Sequence, residues 1–184
     1  MSAVTLTVAS ATRPLTRADL QDTPDDGRRY ELIDGTLIVS PAPRIPHQRV
    51  VGNLHLLLHG GCPDGIWVFF APTAVELADD TELQPDLLVA PRDQFTLKEL
   101  VGAPLLAVEV LSPSTRRVDL FLKRDRLQAA GCPSYWLVDP VEPSILVLEL
   151  EDGQYVERGR ATGDESIEVS APYPLTIVPA DLLD

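Results

Sequence analysis

The chain is short of several things that commonly decide what a protein is. Two cysteines stand among 184 residues, Cys62 and Cys132, each followed by proline and far apart in the chain. That pattern fits neither a metal clip nor a disulfide framework, so both thiols are expected to be buried or incidental groups in a reducing compartment. No run approaches the roughly 18 apolar residues of a membrane span, and the first twenty residues lack a basic start followed by an apolar stretch. The expected location is therefore cytoplasmic, with no membrane partner. No dinucleotide fingerprint, Walker loop or glycine-framed serine elbow occurs, which removes the common nucleotide-binding and serine-hydrolase readings. Lysine is the scarcest charge, with two residues against 13 arginines.

What is present fits one globular domain, since single domains usually run about 100 to 200 residues. The net charge of -13 argues against nonspecific adhesion to DNA or an anionic surface. Its distribution changes that reading. Residues 139–184 hold 11 acids and 2 bases and so supply -9 of the total, whereas Arg116, Arg117, Lys123, Arg124 and Arg126 form a local basic excess.

Periodicity divides the chain into short elements. Thr16 caps a brief helix, and two apolar runs around Asp34-Gly35 predict a β-hairpin. Val50, Val51, Leu54, Leu57 and Leu58 make one face of a helix begun by Pro46 and ended by Gly60-Gly61. Strands are predicted over 66–70, 73–77, 86–90 and 105–111, a second helix over 118–130, a strand over 135–138 and a hairpin over 145–157. The class is α+β, or mixed α/β, around one sheet. A single domain is expected, with a core over about 29–140 and an acidic β-rich tail over 141–184.

Four ionisable residues lie in apolar segments: Glu31, Asp86, Glu109 and Lys123. Buried carboxylates need a cation or a donor. Asp86 and Glu109, on neighbouring strands, suit one hard divalent cation, because Mg²⁺ takes one or two carboxylates, waters and phosphate oxygens. Lys123 offers a compact, rotatable ammonium where arginine is otherwise the rule. His55 and His59 share a helical face at a spacing zinc sites use, but they lack a third ligand, and an exposed polar face accounts for them. Ser112 to Thr115 reads as a turn and helix cap.

Tyr30-Glu31-Leu32-Ile33-Asp34-Gly35, Ser40-Pro41-Ala42-Pro43, His47-Gln48, Gln84-Pro85-Asp86, the run Val108 to Thr115, Asp119, Lys123 and Tyr135 to Pro140 occur in an order that resembles the family described as putative restriction endonucleases, within the PD-(D/E)XK nuclease superfamily. The resemblance covers about residues 30–140, with a compatible hairpin to about 155. It implies a restriction-endonuclease-like core: a central mixed sheet flanked by helices, with an N-terminal hairpin and a β-rich C-terminal extension. It also implies a metal-dependent endonuclease that hydrolyses phosphodiester bonds of DNA with Mg²⁺ or Mn²⁺. Asp86 and Glu109 become the motif acids and metal ligands, the Val110 carbonyl a further ligand, Glu31 an additional catalytic acid that either binds a second metal or orients Lys123, and Lys123 the catalytic lysine. His47 and Gln48 become accessory residues near the site.

Two departures accompany the resemblance. The superfamily lysine, two residues after the acid, is Leu111 here, so its role passes to Lys123 on the following helix. Leu127 stands where the family pattern leads one to expect tyrosine. Arg116, Arg117, Arg124 and Arg126 are candidate phosphate contacts, which position a nucleic acid without reading its sequence. A homo-oligomer, most simply a dimer, is expected. Two other functions fit the same residues: a catalytically silent nucleic-acid-binding protein that keeps the fold, and a metal-dependent hydrolase of another anionic substrate.

Overall fold

In the computed structural model, which describes residues 13–184, the Asp34-Gly35 turn takes φ values of 50° and 69°. Paired positive values are what a tight hairpin turn between twisted strands requires. Gly35 has a second constraint, because a Cβ there would come within 2.7 Å of the Pro14 side chain. The turn joins β1 (Arg29–Ile33) to β2 (Thr36–Ser40), and the short helix α1 (Arg17–Leu20) precedes them, with Thr16 and Asp19 forming its capping box.

Helix α2 (Ile45–Gly60) buries Val50, Val51, Leu54 and Leu58, the face its apolar spacing predicts. Strands β3 (Ile66–Phe70), β4 (Ala74–Ala78), β5 (Thr81–Leu83), β6 (Leu87–Pro91), β7 (Glu99–Val101) and β8 (Leu106–Val110) follow. A π-helical turn over Val118–Lys123 runs into α3 (Arg124–Ala129), so the predicted second helix exists but begins with widened geometry. Strands β9 (Ser134–Asp139), β10 (Ser144–Glu151), β11 (Gln154–Thr162), β12 (Ile167–Val169) and β13 (Leu175–Ile177) complete the chain.

The central sheet has six strands in the order β11-β10-β9-β8-β6-β3, mixed because β8 and β9 run parallel while its other neighbours are antiparallel. Strands β10 and β11 continue this sheet beyond Asp139, so part of the acidic C-terminal region is built into it. A second sheet, β2-β1-β5-β4-β7, and the small pair β12-β13 complete the β structure. The α2 face of the central sheet buries Leu87, Val89, Val108, Val110, Trp136 and Val138. The opposite face packs Ala107, Tyr135 and Leu137 against Ile33, Ile38, Val118 and Leu127. The alternation of side chains along a strand thus gives each face its own core, and β8 delivers Glu109 to the second one.

Among the described residues no helix is long and apolar enough to cross a membrane. Cys132 is buried and Cys62 partly so, and both are free thiols.

Candidate active site

Strand register brings the acids together. Leu87 faces Val108 across the antiparallel β6-β8 pair, so one further step sets Asp86 opposite Glu109 on the same face. Directly opposed residues hold their Cβ atoms about 4.5–5.5 Å apart. Glu31 arrives from β1, and the π-helical turn brings Lys123 and Asp119, both buried.

Lys123 is the centre of one half. Its Nζ lies 2.9 Å from Glu31 Oε1, 2.9 Å from Glu109 Oε1 and 3.7 Å from Asp119 Oδ1. The exposures of these four side chains are 2% or less. Glu31 also accepts a hydrogen bond from the Gln84 backbone N–H at 2.7 Å. Asp119 is fixed from its own backbone, whose carbonyl accepts the Tyr135 hydroxyl at 2.9 Å, while its Oδ1 makes no hydrogen bond.

Asp86 is the centre of the other half. Its Oδ1 accepts from the Arg29 guanidinium at 2.7 Å, and its Oδ2 lies 3.0 Å from His47 Nε2 and accepts the Val110 N–H at 2.8 Å. A second Arg29 nitrogen donates to the Gln84 carbonyl at 3.0 Å. This half opens into a cleft of about 560 Å³ lined by Arg28, Arg29, Tyr30, His47, Gln48 and Gln84, with Asp86 on its wall. Glu109 and Lys123 do not line it.

The proton affinities of the two halves diverge. Burial alone would raise the Asp86 carboxyl, yet the His47 hydrogen bond and the Arg29 charge hold it well below its usual range. Glu109 is pushed well above its usual range, first by burial and then by the charges of Asp119, Asp86 and Glu31, with Lys123 compensating only in part. Burial raises Asp119 to about 6 against the pull of Lys123. Burial would depress the Lys123 ammonium, but Glu109, Glu31 and Asp119 together keep its pKa above the usual lysine range. One ammonium serves three carboxylates and cannot neutralise them.

That imbalance tests the fit of a metal. With all four carboxylates ionised they face two cations, Arg29 and Lys123, an excess of two negative charges when histidine is counted neutral, and it is this excess that raises the proton affinity of Glu109. The excess and the hard oxygen donors match a divalent cation of the Mg²⁺ type. Among the described residues no group of three or more His, Cys, Asp or Glu side chains forms a ready-made metal cage, so waters and substrate oxygens would have to complete the coordination of such an ion.

All four residues singled out from the sequence therefore meet here, and His47 joins them by direct contact. Gln48 lines the cleft. Three of the four cluster arginines are otherwise engaged, and Arg117 is exposed. Arg116 pairs with Asp139 at 2.5 Å, Arg126 with Asp34 at 3.0 Å, and Arg124 reaches the Tyr155 carbonyl at 3.5 Å. Leu127 lies in the apolar core beside the stacked rings of Tyr135 and Tyr155. His55 and His59 stack on each other, and His55 meets Phe70 edge-on.

Two site residues were given no role from the sequence: Arg29, which drew no attention, and Asp119, which entered only as part of the family pattern. Arg29 lies two positions before Glu31 in one strand and Asp119 four before Lys123 in one helical segment, and these spacings put each pair on a shared face.

A buried lysine among carboxylates at adjoining strand ends, on a mixed sheet flanked by helices, defines the restriction-endonuclease-like class. The chain belongs to the Uma2 family, described as "Putative restriction endonuclease", whose model matches residues 17–180. It is similar in structure to a crystal structure described as a putative nuclease belonging to DUF820 from Anabaena variabilis ATCC 29413. The TM-score is 0.71 at 20% identity, over 92% of this chain and 98% of that one. No curated protein matches the chain.

Proposed function

We propose that the protein is a Mg²⁺- or Mn²⁺-dependent endonuclease that hydrolyses phosphodiester bonds of DNA and works in the cytoplasm as a homodimer. The observation that carries this reading is the division of one acidic cluster into a sealed lysine-centred half and an Asp86 half that opens into a cleft. Family membership supports a nuclease-like chemistry for that cluster.

Asp86 and Glu109 would hold the metal, with the Val110 carbonyl and Glu31 as further donors. When bound, the ion would polarise a phosphoryl oxygen and make a water molecule more acidic. Phosphodiester hydrolysis also needs positive charge where negative charge develops on the phosphoryl oxygens. Lys123 meets that need as the ammonium held by Glu109, Glu31 and Asp119. It would donate a hydrogen bond to the attacking water or to a phosphate oxygen. Arg29 and His47 hold Asp86 ionised and oriented, and Glu31 fixes the ammonium from the far side.

Supercoiled plasmid and single-stranded DNA incubated with purified protein and Mg²⁺ or Mn²⁺ provide the test. Nicking or cleavage that depends on the metal and disappears in Asp86→Ala and Glu109→Ala is the expected outcome. Cleavage that survives both substitutions removes the site assignment. DNA binding without cleavage would leave the silent binding protein as the better description.

A further inference from the structure

The two edges of the central sheet are treated very differently. At one edge β11 carries Glu157, Arg158 and Arg160, and its pairing with β10 shifts register between Val147 and Leu148. Charges and register breaks are devices that keep an edge strand from pairing with another chain. At the other edge β3 reads Ile-Trp-Val-Phe-Phe, with no charge, no proline and an unbroken register against β6.

The hydrogen bonds that flank β3 fix which way its backbone points. Ala71 N–H donates to the Asp86 carbonyl at 3.1 Å and Arg92 N–H to the Gly65 carbonyl at 2.9 Å. Alternation then turns the groups of Trp67 and Phe69 toward β6 and those of Ile66, Val68 and Phe70 outward. Three of the outward groups are taken locally: Ile66 N–H by the Pro63 carbonyl, the Ile66 carbonyl by the Cys62 thiol, and the Phe70 carbonyl by the Thr73 hydroxyl. Among the described residues no hydrogen bond reaches the Val68 N–H, the Val68 carbonyl or the Phe70 N–H.

We propose that β3 is the homodimer interface, with two copies pairing their β3 edges antiparallel about a two-fold axis at Val68. This names the surface of the dimer proposed above and is independent of the nuclease chemistry. Val68 then faces Val68 of the second copy, and each donates its N–H to the other's carbonyl. Phe70 N–H faces the Ile66 carbonyl of the second copy, which retains a lone pair. Trp67 stands opposite Phe69 of the second copy. The aromatic cluster of Trp67, Phe69 and Phe95, with ring centroids 5.0–5.8 Å apart, would continue across the axis.

The strand also offers apolar surface to a second copy. Trp67, Phe69 and Phe70 are 40%, 38% and 51% exposed. With about 200 Å² for a whole aromatic side chain, their exposed parts amount to roughly 260 Å² per copy on the strand itself. Charge points the same way. Two chains of -13 repel each other, and an uncharged strand with Arg92 over the Trp67 ring is where they can meet at least cost.

The test is the mass of the full chain in solution across the micromolar range. Wild type is expected at twice 20.1 kDa. Trp67→Lys and Phe69→Glu should each weaken dimerisation at least about tenfold, which is about 1.4 kcal/mol, while circular dichroism stays unchanged. Mixing the two variants restores one aromatic pair and creates one Lys–Glu pair across the axis, so a heterodimer should form where neither variant alone dimerises. Trp67→Thr and Phe69→Thr serve as milder replacements if the charged variants unfold. A wild-type monomer at all these concentrations overturns both the dimer and its surface. Variants that dimerise as tightly as wild type overturn the surface alone.

Discussion

Asp86 and Glu109 face each other on adjacent strand positions, yet their surroundings set them opposite electrostatic tasks. Asp86 is surrounded by donors: a guanidinium, an imidazole and a backbone N–H all converge on its two oxygens. Glu109 shares a single ammonium with Glu31 and lies near Asp119. One carboxylate is therefore satisfied as an anion before any ligand arrives, and the other is held in a charge excess. A divalent cation would be fixed in place by the first and favoured by the second. The cost of assembling like charges is carried by the folded state, as is common where function overrides local stability.

The contrast breaks most completely at Lys123. Lys123→Met removes the cation paired with Glu31 and Glu109 and leaves Glu31, Glu109 and Asp119 facing one another. Removing one partner of a buried ion pair commonly costs about 3–5 kcal/mol. Denaturant unfolding of the variant should show a loss of that size, and nicking activity should vanish. Adding Glu109→Gln to the same chain should recover part of the stability and none of the activity, which separates the two effects.

Next in size is a pair of isosteric changes whose signs should differ in metal-free buffer. Asp86→Asn leaves Arg29 with a weaker acceptor and should cost roughly 1–3 kcal/mol. Glu109→Gln removes a charge that burial already disfavours, while Lys123 keeps Glu31 and Asp119. Its unfolding midpoint should stay level or rise. Equal losses for both would mean that the two halves are electrostatically alike.

Much of this arrangement was legible in the sequence. Acids inside apolar runs announced Glu31 and Glu109, the Asp-Gly turn announced the hairpin, and the rarity of lysine drew attention to Lys123. What stayed hidden depends on pairing. Strands β5, β7, β12 and β13 have three residues each, too few for a periodicity to emerge. The second sheet they help to form was therefore not expected. Arg29 had no role legible in the sequence, because its partner Asp86 lies far along the chain and only the meeting of β1 with the β6 end joins them. The π-helical turn has no distinct apolar period, so the wide turn that brings Asp119 and Lys123 inward leaves no signature in the sequence.

A smaller effect concerns pH. Asp119 has its pKa raised from 3.8 to about 6 by burial. Between those values the folded protein holds more protons than the unfolded chain, so this group makes stability fall as pH rises from about 4 to about 6 and leaves it level above. Asp86, depressed well below its usual range, acts in the opposite direction: its stabilisation is present above about pH 4 and is lost as acid protonates it. Asp119→Asn should therefore gain on wild type as pH rises from about 4 to about 6, and hold that gain at higher pH, in metal-free buffer. Saturating Mg²⁺ at neutral pH should shrink that gap, because the ion offsets the charge that the substitution removes.

The smallest effects should come from the basic residues that first suggested a nucleic-acid track. Arg116 and Arg126 are about half exposed and already paired with Asp139 and Asp34. Exposed pairs of this kind are worth about 0–1 kcal/mol, so Arg116→Ala and Arg126→Ala should leave unfolding midpoints almost unchanged. If phosphate enters through the cleft beside Arg28 and Arg29, the same substitutions should change DNA affinity less than twofold, while Arg28→Ala lowers it more and reduces its dependence on salt. Fluorescence anisotropy with a labelled oligonucleotide, in Ca²⁺ to suppress cleavage, separates the two surfaces. A larger loss from Arg116→Ala than from Arg28→Ala would move the DNA track to the π-helical face. It would also require the Asp139 pair to open on binding, since a guanidinium held by a carboxylate has less charge to offer a phosphate.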